Sequence, residues 1–256
     1  MSEGHNFESH EIPPQVKVDF ESVLERSEIK SSKTLEGHEY IKEVELEDGT
    51  KALFRPEVVS SEADLKGADP QKIRNAFKEK LRADLEILAF SIDRLLKFNL
   101  IPTVVRREVE GEKGALQRFV SEAKPAKNFG LAWEQLVERT EILKAAVFDY
   151  LMDARDRNTG NFLIDSDSKK LWLIDNDFLM LMNKNGIPSD IRFRAEKLDL
   201  LDITPGIVGG LRGLLDRMAS FVGQFDPALS QKLEDIKKRA ELLVETKKIP
   251  AQTYLA

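Results

Sequence analysis

The chain has 256 residues, 41% hydrophobic and 33% charged, with a formal net charge of −6 and no cysteine. That composition excludes disulfides and thiolate metal centres, and it argues against a broad face for nucleic acid or anionic lipid. With three histidines, and no apolar run near the roughly 20 residues that span a bilayer, neither a zinc site nor membrane insertion is expected.

Residues 1–16 are polar, contain a Pro-Pro pair and lack the basic-then-apolar plan of a signal peptide, so they are read as a flexible leader of a cytoplasmic chain. From Lys17 to Glu57 the texture is strand-like. "IKEVEL" alternates charged and apolar residues, "EDGT" makes a hairpin turn, and "KALFRP" returns, ended by Pro56. From Asp69 to Phe98 the spacing becomes helical, with Leu81, Leu85, Leu88, Ile92 and Leu95 on one stripe. Two strands follow, in "LIPTVVRREVEG" and "GALQRFVSEA", joined around Gly111–Gly114. A helix from Ala132 to Met152 is expected to bury Leu136, Ile142, Ala146 and Tyr150. The remainder, from about Arg192 to Thr246, reads as mostly helical, broken by "TPGIVGG" and closed by a helix capped at Asp226.

This order predicts an α+β chain of two lobes. A small sheet-rich N-lobe with one long helix spans 17–122, and a larger, mainly helical C-lobe spans 123–256. The two lobes form a single domain, with a ligand cleft between them.

The segment from Phe148 to Asp177, "FDYLMDARDRNTGNFLIDSDSKKLWLIDND", holds seven aspartates and three asparagines around two short apolar runs. "FLID" and "LWLID" read as an antiparallel hairpin, which places Asn161 and Asp175 side by side at its open end. Asp156 precedes Asn161 by five positions, so three oxygen-bearing side chains converge. Such a set suits a magnesium ion bridging nucleotide phosphates, with Asp156 near the attacking hydroxyl. Two other readings stand beside it. The acids can be turn-formers and solvated charges, the favoured reading for Asp149, Asp153, Asp165 and Asp167. Alternatively, "DRNTGNFLIDSD" can be a calcium loop, although Asn161 stands where such a loop needs glycine.

The Asp156-x-x-x-x-Asn161 offset, the hairpin and "LIDN" together resemble the catalytic core of the atypical kinases related to phosphatidylinositol 3- and 4-kinases, a group that includes the Golgi casein kinase type and many bacterial members. The resemblance implies a protein-kinase-like fold that uses ATP with Mg²⁺ or Mn²⁺. Asp156 then resembles the catalytic aspartate, and Asn161 and Asp175 the metal ligands. Asp177 stands where the family often has glycine. More loosely, "VLERSEIKSS…VELEDGTKALFRPE" resembles the nucleotide-covering hairpin and third strand, and "LEILAFSIDRLLKFNLIP" the first long helix. "GALQRFV" resembles the strand leading to the hinge, which puts Gln117, Arg118, Phe119 and Val120 beside adenine.

A kinase of this fold needs a third-strand cation on the phosphates, fixed by a helix glutamate. Alternation along "KALFRP" puts Lys51, Leu53 and Arg55 on one face, so Leu53 would cover adenine and Arg55 would reach the phosphates in place of the family's lysine. Glu86 is the candidate glutamate, its alternative being a surface pair with Arg82. Lys33 and Lys42 are possible stand-ins for the lysine. Ser31, Ser32 and Gly37 make a thin phosphate loop. The expected function is transfer of the γ-phosphoryl group to a hydroxyl of a protein or small-molecule acceptor. The alternatives are an impaired nucleotide-binding regulator, an AMP transferase on the same fold, or a non-enzymatic calcium module.

Overall fold

The computed structural model describes residues 19–36, 41–57, 70–154, 156–176, 189–221 and 223–251, with the side chains of 70–80 excepted. The leader, Gly37, the helix start at Asp69 and Asp177 lie outside the described residues.

Five strands form the first sheet, in the order β1-β2-β3-β5-β4, all neighbours antiparallel: β1 (Ile29–Thr34), β2 (Lys42–Leu46), β3 (Lys51–Pro56), β4 (Val104–Val109) and β5 (Glu112–Arg118). Period-two alternation sorts its two faces. Val44, Leu46, Ala52, Phe54, Val105, Val109 and Leu116 bury one face in a small core with Leu24. The other face carries Leu53, Arg55 and Gln117, with Leu53 paired to Gln117 across β3 and β5.

Leu24 belongs to α1 (Phe20–Arg26), a helix in a stretch expected to be strand-like. Asp19 accepts the Ser22 N–H at 3.4 Å at its start, and Arg107 of β4 takes the Leu24 and Ser27 carbonyls at 2.6 and 2.5 Å. Seven residues are too few for a stable isolated helix, so α1 depends on these end contacts and on burial of Leu24. Neither is visible in local periodicity.

Helix α2 (Pro70–Leu96) lies along the second face of the sheet, and its expected stripe is buried at Leu81, Leu85, Leu88 and Ile92 and partly buried at Leu95. That stripe continues into the main core. This core is built with α3 (Arg139–Met152), the hairpin β7 (Phe162–Asp165) and β8 (Lys170–Leu173), α4 (Asp190–Lys197), α5 (Pro205–Phe221) and α6 (Ser230–Thr246). A two-residue strand, β6 (Lys124–Pro125), pairs with β7. The helix expected from Ala132 begins only at Arg139; a 3₁₀ stretch over Ala126–Gln135, interrupted by Gly130 at φ 63°, occupies the start of that span.

"TPGIVGG" does not break the helical half; it opens α5. Pro205 takes the first helical position, where its missing N–H is no loss, and Thr204 Oγ1 accepts the Ile207 N–H at 3.4 Å. Gly210 allows close approach where α5 crosses α2, since a Cβ there would stand 3.1 Å from the Leu96 carbonyl oxygen. Asp226 caps as expected, accepting the Ala228 N–H at 2.9 Å. One 3₁₀ turn, Pro227–Leu229, precedes α6.

After α2 the chain is tied down by Asp93, whose carboxylate accepts the N–H groups of Leu100 at 3.1 Å and Ile101 at 3.2 Å. Burial outweighs these bonds and pushes the Asp93 carboxyl up to about 6 from 3.8. Between those values the folded chain holds a proton that the unfolded chain releases. Asp93 therefore lowers stability as pH rises through this window, by up to about 1.4 kcal/mol per pH unit. Asp93→Asn cannot titrate. Melting curves should show wild type losing ground to this variant from about pH 4 to pH 6, with a level difference above. A constant difference across that range would contradict the assignment.

Candidate active site

The hairpin pairs Phe162 with Leu173 and Leu163 with Trp172, turning Phe162, Ile164, Leu171 and Leu173 into the core. Beyond its open end the Ile174 N–H donates to the Asn161 carbonyl at 3.2 Å, so Asn161 and Asp175 sit at neighbouring positions. Asp175 has left-handed backbone at φ 55°.

Helix α3 stops at Met152, with Asp153 left-handed at φ 52° as its C-cap. The loop that follows is organised by Asp156. Its carbonyl accepts the Asn158 N–H at 2.9 Å and Asn161 Nδ2 at 2.7 Å, and its carboxylate accepts Asn158 Nδ2 at 3.2 Å. Asn158 Oδ1 in turn accepts the Gly160 N–H at 2.8 Å. Because the amide nitrogen of Asn161 is occupied, its oxygen is the end left for a cation.

Arg157 and Asn176, which spacing did not single out, hold this arrangement. Arg157 is 2% exposed and donates from Nε to Asp149 at 3.1 Å. From Nη1 it donates to the carbonyls of Asn161 and Ile174 at 2.8 and 2.6 Å, and from Nη2 to Asn176 Oδ1 at 2.8 Å. Asp149 is fully buried and takes Ser189 Oγ at 2.7 Å on its other oxygen. It is thus no solvated turn residue: its apolar helix carries it inside, and Arg157 balances its charge. Burial pushes its carboxyl up, opposed by Arg157 and Ser189. Asp165 does form a turn, accepting the Asp167 and Ser168 N–H groups at 3.1 and 3.3 Å. That turn closes the far end of the hairpin, so β7 separates Asp167 from Asp156 and no calcium loop is formed.

On the first sheet, Arg55 Nη2 lies 3.1 Å from Asp175 Oδ1 and 3.9 Å from Glu86 Oε1. Glu86 is buried rather than paired on the surface. It accepts the Asn176 N–H at 2.9 Å and Asn176 Nδ2 at 3.2 Å. Burial raises its pKa, Arg55 opposes this, and the Asp175 charge adds to the rise. Lys33 pairs with Glu43 at 3.3 Å, and Lys42 is held by Glu110 and Glu112 on the opposite face, so neither stands in for the family's lysine.

Leu53, Arg55, Glu86 and Gln117 line one narrow pocket with Ile41 and Ala115. Gln117 Nε2 is buried there without a hydrogen-bond partner, a donor that a heterocycle acceptor would satisfy. Three expected residues fall elsewhere. Ser32 pairs with Val44, hence lies on the far face of the sheet, and its hydroxyl donates to Glu110 at 2.7 Å. The Arg118 guanidinium stacks over Phe20 at 4.2 Å and Trp172 at 5.4 Å and pairs with Glu122, also away from the pocket. Phe119 is 45% exposed, and its N–H donates to the Lys51 carbonyl at 2.9 Å. Val120 is buried just beyond.

The chemistry of these residues suits a nucleotide and a hard cation, although the pocket itself is only about 30 Å³. The pocket offers apolar walls, an unsatisfied donor and a cation, and oxygen donors stand at the hairpin's open end. Among the described residues no three Asp, Glu or His side chains gather to hold a metal alone.

The fold is similar to that of "Crystal structure of the golgi casein kinase", at TM-score 0.50 and 13% identity, covering 88% of this chain and 74% of that one. "Structure of vaccinia related kinase 3" aligns at TM-score 0.30 and 13% identity, covering 85% and 72%. No curated protein matches the sequence. The sequence profile of the family described as "Phosphatidylinositol 3- and 4-kinase" matches residues 9–248. A match over nearly the whole length, joined to the two-lobed kinase-like fold, places the chain in the phosphatidylinositol 3- and 4-kinase family.

Proposed function

We propose that this chain is an ATP- and magnesium-dependent phosphotransferase that moves the γ-phosphoryl group to a hydroxyl of a protein or small-molecule acceptor. Family membership supports phosphotransferase chemistry in general. The observation that carries the residue assignment is the meeting of Asn161 and Asp175 beside an Asp156 that is fixed by its own loop. Asp156 orients the acceptor hydroxyl and takes up its proton. Asn161 and Asp175 hold the cation, which supplies charge neutralisation at the phosphates. Leu53 and Gln117 face the base, Arg55 faces the phosphates, and Val120 carries the hinge backbone. Rate enhancement comes from positioning and fixed charge rather than a covalent intermediate. The net charge of −6 favours a soluble acceptor over an anionic membrane lipid.

One observation favours a second reading, an impaired nucleotide-binding regulator: Arg55 lies nearer to Asp175, a proposed metal ligand, than to Glu86, and a bidentate-capable guanidinium leaves a carboxylate less readily than an ammonium. Melting the protein in excess ATP, with and without magnesium, tests nucleotide binding. At 100 times Kd a ligand adds about 2.7 kcal/mol, or roughly 5–10 °C for this length. A magnesium-dependent rise is expected, and no rise at millimolar ATP would sink both readings. Transfer of phosphate to itself or to a generic protein then separates enzyme from regulator.

A further inference from the structure

We propose that Arg157 is a positioning residue that sets the spacing between Asn161 and Asp175 through their backbones. The inference rests on the nucleotide reading above and adds to it the device that holds the cation ligands in register. Four of the five guanidinium N–H donors of Arg157 are engaged, each by a different acceptor. One is Asp149 in α3. The others are the Asn161 carbonyl, the Ile174 carbonyl immediately before Asp175, and the Asn176 side chain immediately after it. Three of the four therefore belong to, or directly flank, the two proposed cation ligands.

Charge balance alone does not require this layout. Asp149, held on its other oxygen by Ser189, already neutralises the buried cation. What the planar fork adds is a fixed distance between the start of β7 and the end of β8, where the ladder itself supplies only the Ile174–Asn161 bond at 3.2 Å. Magnesium demands near-ideal octahedral geometry at about 2.1 Å, so small shifts of either ligand weaken it steeply. The same unit reaches the first sheet. Asn176 joins Arg157 to Glu86, and Glu86 holds Asn176 more closely than it holds Arg55, at 2.9 Å against 3.9 Å. Helix α2 thus grips the turn after Asp175, and the cation ligands move with it.

The test uses full-length wild type, Arg157→Lys and Asn176→Ala. Lysine keeps the charge opposite Asp149 but offers three donors from one nitrogen, which cannot span these acceptors. Circular dichroism and melting without ligand report the fold. The magnesium concentration giving half the ATP-dependent melting shift reports the site. Arg157→Lys should raise that concentration at least about tenfold, as loss of groups that orient metal ligands typically does. Asn176→Ala, which removes one arm and keeps the buried charge pair, should raise it by a smaller factor, and carries the test if Arg157→Lys does not fold. Folded variants whose magnesium requirement stays within about twofold of wild type, whatever their melting temperature, would overturn the proposal and reduce Arg157 to a structural ion pair. A wild type with no magnesium-dependent shift would overturn the nucleotide reading itself, a result distinct from variants that match a responsive wild type.

Discussion

Asp156→Ala should lower phosphoryl transfer by about 10²–10⁴-fold while leaving the magnesium-dependent melting shift with ATP in place. Asp175→Ala should abolish both. The difference follows from which atoms do the holding. Asn161 is oriented by the backbone carbonyl of Asp156 at 2.7 Å, and its nitrogen is 3.5 Å from the carboxylate. Alanine keeps that carbonyl, so the cation ligand stays put while the group that receives the acceptor proton is gone. Asp175 offers no such redundancy. Its carboxylate is both a proposed ligand and the 3.1 Å partner of Arg55, so its removal takes away a cation ligand and an ion pair at once. Turnover and melting shift measured on the same two variants decide the matter. Undiminished turnover by Asp156→Ala would end its catalytic assignment, and a normal magnesium response in Asp175→Ala would end the ligand assignment.

The largest loss of stability is expected at Asp149. Removing one partner of a buried ion pair typically costs about 3–5 kcal/mol, because the other charge stays behind. Here Arg157 is 2% exposed and cannot reach water without releasing the Asn161 and Ile174 carbonyls. Asp149→Ala should therefore melt roughly 6–20 °C lower than wild type in the absence of nucleotide. Asp149→Asn should fall less, since an amide oxygen still accepts from Arg157. A drop of under about 2 °C for the alanine variant would mean that the guanidinium is solvated.

Local pattern carried far in this chain where a residue's environment is set by its near neighbours. Alternation along β3 and β5 sorted Leu53, Arg55 and Gln117 onto one face, and the three-and-four spacing of α2 marked its buried stripe. The hairpin, and with it the meeting of Asn161 and Asp175, was readable from two apolar runs and the turn between them. Environment set at a distance was not readable. Ser32 sits in a stretch whose local pattern suits a phosphate loop, but its strand register turns it toward Glu110, 78 positions away. Asp149 looked like one more acid in an acidic stretch until Arg157 and Ser189 closed around it. Asn176 takes its meaning from Glu86, 90 positions earlier. In α5, Gly210, a residue type that punctuates most sequences, serves instead to let two helix backbones approach.

The left-handed backbone of Asp175 has an evolutionary consequence. An L-residue there carries a penalty on the order of 1 kcal/mol that glycine would escape, so the position trades thermodynamic comfort for a carboxylate. Under relaxed selection, Asp175→Gly would relieve that strain but lose the Arg55 ion pair and add unfolded-state entropy, so stability would neither drive nor resist the loss of the carboxylate.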